Sequence, residues 1–221
     1  MEISAHYGRT MGVGELLAAA EHAELVEFDV RRCGDGVLVC HHDPRVGGRR
    51  GPAVGALTYA ELCAVAGTDV PTCEEVMAGL AGRARGHIDL KESGYEDRLV
   101  QMAISLMSED GFVVTTTADE SIARITRGFP GVPTALSLGR QVHDAWPLRR
   151  VAACGASGVA LHRRLAPALL GRAARAGLTT MVWTVNGDAQ IERCLRDPRI
   201  DVLITDRPDF AAKRRIAVGQ I

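Results

Sequence analysis

A single-domain (β/α)8 barrel is the fold class this sequence predicts, and three observations predict it. Eight short strand-like runs alternate with helical patterns along the chain, the order expected when a parallel sheet closes inside a ring of helices. Most of these runs are continuously apolar, as strands are when both faces are covered. The length, 221 residues, fits one domain spanning 1–221 better than two. A doubly wound open sheet is the alternative, but no glycine-rich phosphate turn follows the first strand.

The strand-like runs are 2–6, 25–30, 86–91, 112–116, 134–138, 158–161, 180–185 and 202–205. A ninth short run, 37–40, reads as a hairpin arm returning through Gly34-Asp35-Gly36 after the second barrel strand. The stretch from Pro44 to Ala56, rich in Gly, Arg and Pro, reads as a surface loop. Helix starts and stops punctuate the rest. Thr58-Tyr59-Ala60-Glu61 and Thr72-Cys73-Glu74-Glu75 are capping boxes, with Gly67 and Gly82 as stops. Asp119 and Asp188 are N-cap candidates for two later helices, and Pro167 opens another that Gly177 closes.

Composition narrows the function classes. Lys plus Arg number 26 and Asp plus Glu 27, so the chain lacks the basic excess of a general nucleic-acid or anionic-membrane binder. The six cysteines (33, 40, 63, 73, 154 and 194) form no CxxC pair, which argues against a zinc knuckle or a thioredoxin-like motif. No basic-then-apolar leader opens the sequence and no apolar run reaches transmembrane length. The expectation is reduced cysteines in a cytoplasmic protein acting on a small molecule, with no stable membrane insertion and an open oligomeric state.

Chemistry concentrates at strand ends, where barrel enzymes keep their sites. Glu27 and Asp29 alternate on one strand, so they share a face about 6.6 Å apart along it. Two carboxylates on an apolar strand repel unless a cation lies between them. A hard divalent ion such as Mg²⁺ or Ca²⁺ suits their oxygens; pairing with Arg31 or Arg32 is the structural alternative. His87, Asp89 and Lys91 repeat the period on the third barrel strand. Glu27, Asp29 and Asp89 thus make a three-carboxylate cup for one cation, and Lys91 suits a phosphate oxygen. His6 and His42 match proton transfer near neutral pH. Together these describe metal-assisted phosphodiester cleavage.

Ordered motifs carry a resemblance. His6-Tyr7-Gly8, Glu27-Phe28-Asp29-Val30, Asp35 through Pro44 with its His42-Asp43, and Leu57-Thr58-Tyr59-Ala60-Glu61-Leu62 come first. Pro71-Thr72-Cys73-Glu74-Glu75, Ile88-Asp89-Leu90-Lys91, Trp183-Thr184-Val185-Asn186 and Thr205-Asp206-Arg207-Pro208 follow. In that order, over nearly the whole chain, they resemble the glycerophosphodiester phosphodiesterases. The resemblance implies a TIM barrel and a hydrolase dependent on one Mg²⁺ or Ca²⁺. It implies Glu27, Asp29 and Asp89 as metal ligands, His6 and His42 as the acid–base pair, Lys91 on the phosphate and Trp183 lining the substrate pocket. It also implies attack by the substrate's own hydroxyl through a cyclic phosphate, yielding glycerol 3-phosphate and an alcohol.

Three departures stand out. The family arginine after the first histidine is Tyr7, and Arg9 is the candidate substitute for its substrate contact. Met11-Gly12-Val13-Gly14-Glu15 replaces the family's Pro-Glu-Asn-Thr turn, and Asp89 stands where the family has Glu. These leave two alternatives open: a lysophospholipid or phosphosphingolipid phosphodiesterase of the same mechanism, or a catalytically silent barrel that binds phosphodiesters. His162, at the end of the sixth barrel strand, is a secondary contact candidate. His22 reads as a solvated helix residue, His143 as a cap, and His87 as layer filling. Asp43 reads as either a support for His42 or the start of a turn, and Asp206 as a support for a barrel turn.

Overall fold

In a computed structural model, residues 1–6, 12–139, 147–217 and 219 are described. Eight parallel strands close into a barrel: β1 (Glu2–Ala5), β2 (Leu25–Arg32), β4 (Arg85–Leu90), β5 (Phe112–Thr116), β6 (Thr134–Leu138), β7 (Gly158–His162), β8 (Thr179–Trp183) and β9 (Val202–Thr205). Closure runs through β1, which pairs with β9 on one side and with β2 at Leu25 and Val26 on the other. The ninth strand, β3 (Leu38–Cys40), is antiparallel to β2 and pairs with its last three residues, Val30 to Arg32.

Alternation along the strands sorts the core into two layers. Ile3, Phe28, Val30, Ile88, Val114, Leu136, Val159 and Leu203 point outward into the main core beneath the helices. Leu25, Ala135, Ala160, Met181, Val202 and Ile204 fill the barrel interior, with Trp183 packed on top of them. Two of these interior residues, Ala135 and Ala160, are alanines, which suits the limited room between converging strands. Gly158 is the tightest point: a Cβ would sit 2.8 Å from the Thr179 carbonyl oxygen and 3.3 Å from Ala135 Cβ.

Helices follow the strands in order: α1 (Val13–Ala19), α4 (Glu96–Met107), α5 (Asp119–Gly128), α6 (Pro147–Cys154), α7 (Ala166–Arg175), α8 (Asp188–Leu195) and α9 (Pro208–Ala217). Two more, α2 (Tyr59–Ala66) and α3 (Cys73–Leu80), lie between β3 and β4. Both predicted capping boxes form: Thr58 and Thr72 accept from the Glu61 and Glu75 amides, and each glutamate reaches back to the threonine amide. Gly67 ends α2 in the left-handed conformation that its missing Cβ permits.

Some local expectations change. Asp119 and Asp188 do not cap: each is the first helical residue, and they pair instead with Arg150 and Arg207. A tertiary arginine outcompetes the local amide. α1 stops at Ala19, so His22 lies in an exposed turn and not in a helix. The stretch 44–56 is more than a surface loop. Val46 and Val54 pack with Cys33, Val39, Leu62 and Val70 into a small separate core under β3 and α2. All six cysteines are free thiols. No described helix is long and apolar enough to cross a membrane.

Candidate active site

Glu27, Asp29 and Asp89 stand on adjacent strands β2 and β4, whose register sets Asp29 beside Asp89. Each offers an oxygen within 4.8 Å of the others. Lys91, one residue past β4, brings Nζ to 2.6 Å from Asp29 Oδ1 and 2.5 Å from Asp89 Oδ2. Burial and then the charges of Asp29 and Asp89 push the Glu27 carboxyl well above the usual range, with Lys91 pulling the other way. Burial opposes the charge on Lys91, yet Asp89 and Asp29 hold its ammonium above its ordinary pKa. Glu27 Oε2 is buried with no hydrogen-bond partner among the described residues. A buried carboxylate oxygen in that state is costly unless a cation meets it. Three carboxylates against one ammonium keep an excess of negative charge, so the donor set fits a hard, oxygen-seeking divalent ion.

Below the cup, His87 sits buried and neutral, its pKa pushed down to about 4 by burial, with Asp89 opposing. It links Ser4 Oγ at 2.8 Å to Thr115 Oγ1 at 3.0 Å, and Thr115 donates onward to Asp89 Oδ1 at 3.4 Å. That direction fixes the tautomer: Nε2 donates to Thr115 and Nδ1 accepts from Ser4. The chain of donors steadies Asp89, as expected of a layer beneath ligand groups.

Two imidazoles flank the cup. His6, just past β1, donates from Nδ1 to Asp206 Oδ1 at 2.6 Å. Asn186 Nδ2 donates to the other Asp206 oxygen at 2.5 Å, and its Oδ1 accepts from the Asp206 amide at 3.0 Å. His42 donates from Nδ1 to Asp43 Oδ1 at 2.8 Å. In both, a carboxylate holds Nδ1–H and Nε2 is the nitrogen available to exchange a proton. Opposite, Trp183 hydrogen-bonds the Ala160 carbonyl through Nε1 at 3.1 Å and meets the His162 ring edge-on at 5.1 Å. A cavity of about 470 Å³, lined by Cys40, His41, Asp43, Arg45 and Asp69 among others, abuts this rim through Asp43 without reaching the carboxylates.

The chain matches the family model described as "Glycerophosphoryl diester phosphodiesterase family" over residues 16–210. This chain belongs to the glycerophosphoryl diester phosphodiesterase family. Its enzyme class is that of a phosphoric diester hydrolase. Solved structures agree on the fold. A glycerophosphodiester phosphodiesterase from Parabacteroides distasonis superposes with a TM-score of 0.83 at 23% identity, covering 99% of this chain and 98% of that one. One from Agrobacterium tumefaciens gives 0.76 at 22% identity, covering 96% and 99%. An Oleispira antarctica phosphodiesterase, solved with the product sn-glycerol-3-phosphate, gives 0.79 at 16% identity, covering 99% and 96%. No curated protein matches the chain at a significant level.

Against this phosphodiesterase barrel, the expected residues sort clearly. Glu27, Asp29, Asp89 and Lys91 converge at one mouth, with His6 just past β1, His42 just past β3 and Trp183 at the end of β8. Tyr7, Arg9 and His143 lie outside the described residues. Neither arginine on β2 answers the acids: Arg31 bonds the His42 carbonyl and Arg32 stacks over Tyr95. Asn186 lies in the loop beyond β8 and not on the strand. Asp43 takes the first of its two expected roles and orients His42, whereas Asp206, one residue past β9, orients His6, beyond the turn support expected of it. The adjacency of His42 and Asp43 was visible; the pairing of His6 with a residue 200 positions away was not.

Proposed function

We propose that the protein hydrolyses glycerophosphodiesters to glycerol 3-phosphate and a free alcohol, with His6 and His42 as the acid–base pair. The convergence of three carboxylates, one lysine and two carboxylate-oriented imidazoles at a single barrel mouth carries this reading. The family match supports the substrate class. A Mg²⁺ or Ca²⁺ held by Glu27, Asp29 and Asp89 would supply positive charge against the phosphoryl oxygens. The orphaned Glu27 oxygen supports that assignment.

The protein's own groups then divide the work. Lys91 reaches the phosphoryl oxygens and adds to charge neutralisation. One imidazole Nε2 accepts the proton of the substrate's neighbouring glycerol hydroxyl as its oxygen bonds to phosphorus. The other gives a proton to the departing alcohol oxygen as its bond to phosphorus breaks. A cyclic phosphate results, and the two imidazoles exchange roles when water opens it. Asp206 and Asp43 hold the imidazoles in the tautomer this needs, and Trp183 walls the mouth against the glycerol moiety.

Metal-stripped protein incubated with glycerophosphocholine, glycerophosphoethanolamine and a lysophospholipid tests this, with Mg²⁺ or Ca²⁺ restored and products followed by ³¹P NMR. Glycerol 3-phosphate formed only with metal, and lost in His42→Ala, is the expected result. Turnover of the lysophospholipid alone would move the assignment to lipid substrates. No turnover of any would favour a silent phosphodiester-binding barrel.

A further inference from the structure

We propose that Arg31 is the positioning residue of His42, and so sets the rate of the reaction assigned above without touching substrate. The inference rests on the reading of His42 as a proton-transfer group. It begins from how that histidine is held. His42 lies in an irregular segment just after β3, where no ladder fixes its backbone. Its own side chain is 40% exposed, so packing alone does not immobilise it. A proton-transfer group must nevertheless be held within about 0.5 Å of its working position.

Hydrogen bonds from several sides hold the segment, among them the His41 Nδ1–H donating to the Asp43 carbonyl oxygen at 2.7 Å. The His41 amide donates to the Asp29 carbonyl at 3.0 Å, tying it to the strand that carries two of the cup's carboxylates. The His42 imidazole donates to Asp43. The Arg31 fork adds two more: Nε at 3.1 Å and Nη2 at 2.9 Å both donate to the His42 carbonyl oxygen. Arg31 is only 11% exposed and stands on the same face of β2 as Glu27 and Asp29. Its third nitrogen, Nη1, faces Glu92 at 3.6 Å, one residue beyond Lys91. Glu92 in turn accepts from the Arg32 amide at 3.4 Å. Arg31 therefore braces the histidine side of the mouth against the lysine side. The planar guanidinium fits this task because two rigidly spaced donors converging on one oxygen fix both distance and direction, which a lysine ammonium does not. Sequence alone suggested pairing with the acids; the geometry gives Arg31 a carbonyl instead.

The test uses the full chain with Mg²⁺ and glycerophosphocholine. Arg31→Met keeps the stem and removes the fork. The expected kcat falls about 10- to 100-fold, as for a misplacement of about 1 Å, while KM and calorimetric Mg²⁺ affinity stay within about twofold. Arg31→Lys restores part of the loss. Combined with His42→Ala, Arg31→Met removes nothing further, because both act through one group. Independently of turnover, the His42 imidazole NMR signals, assigned by their loss in His42→Ala, shift or broaden in Arg31→Met while those of His6 stay. Losses that multiply in the double variant, or His42 signals unchanged by Arg31→Met, would overturn the proposal. If the wild type turns over no diester, the functional reading fails by itself and the NMR comparison still decides the role of Arg31. Should Arg31→Met melt early, Arg31→Lys carries the same comparison.

Discussion

His6 and His42 reach the barrel mouth from separate segments, just past β1 and just past β3, yet end in one arrangement, with Nδ1 on a carboxylate and Nε2 left for chemistry. Removing the acceptor charge while keeping the shape isolates that arrangement. Asp206→Asn is expected to lower kcat by about 10- to 100-fold with the fold intact, read by steady-state kinetics beside circular dichroism. Glu27 poses a different problem, since its buried Oε2 has no hydrogen-bond partner among the described residues. Its raised pKa means that the folded state keeps a proton that the unfolded chain gives up near pH 4.5. The metal-free protein therefore loses stability as pH rises above 4.5 toward the folded value. Glu27→Gln is expected to raise the melting temperature of metal-free protein at pH 7 and to abolish any further rise on adding Mg²⁺, the rise expected of the wild type if the three carboxylates hold the ion as proposed. A thermal melt with and without Mg²⁺ reads both effects.

At the scale of elements, β7 depends on the missing side chain of Gly158, which lets β8 approach to a spacing that any Cβ would obstruct. Gly158→Ala is expected to destabilise the fold by about 1–3 kcal/mol in urea unfolding, because the obstacle is backbone and cannot swing away. The segment between β2 and β4 is built differently from the rest. It carries β3, α2, α3 and a satellite core, and it delivers His42 to the mouth. Its two helix starts were legible because a capping box is a contact among four consecutive residues. The buried Val46 and Val54 were not, since the glycines and arginines around them mask what covers them. Asp119 and Asp188 mark the same boundary: a local cap is readable until a distant arginine claims the carboxylate.

Across the whole molecule, the two ends of the chain are joined at the floor of the barrel. Arg215 on α9 donates to both Glu24 oxygens, at 2.9 and 2.7 Å, and to the Met1 carbonyl at 3.1 Å. Burial pushes Glu24 up, but Arg215 and the Ile3 amide outweigh it and hold the carboxyl low. A lowered carboxyl stabilises the fold above the ordinary pKa of 4.5, and that gain fades as pH falls through the folded value. Arg215→Met is therefore expected to cost about 1 kcal/mol at pH 7, with the difference closing below pH 4.5 in melts across pH. The barrel itself was written in the sequence. Strand alternation and apolar runs are local, so the eight strands, the shared face of Glu27 and Asp29, and the period that brings in Asp89 and Lys91 follow from neighbouring residues. What only the tertiary structure decided is partnership. Barrel closure sets β1 beside β9, and thereby gives His6 to Asp206; the turn after β3 gives the His42 carbonyl to Arg31. Such pairings depend on where the chain returns in space, and no spacing along it encodes that distance.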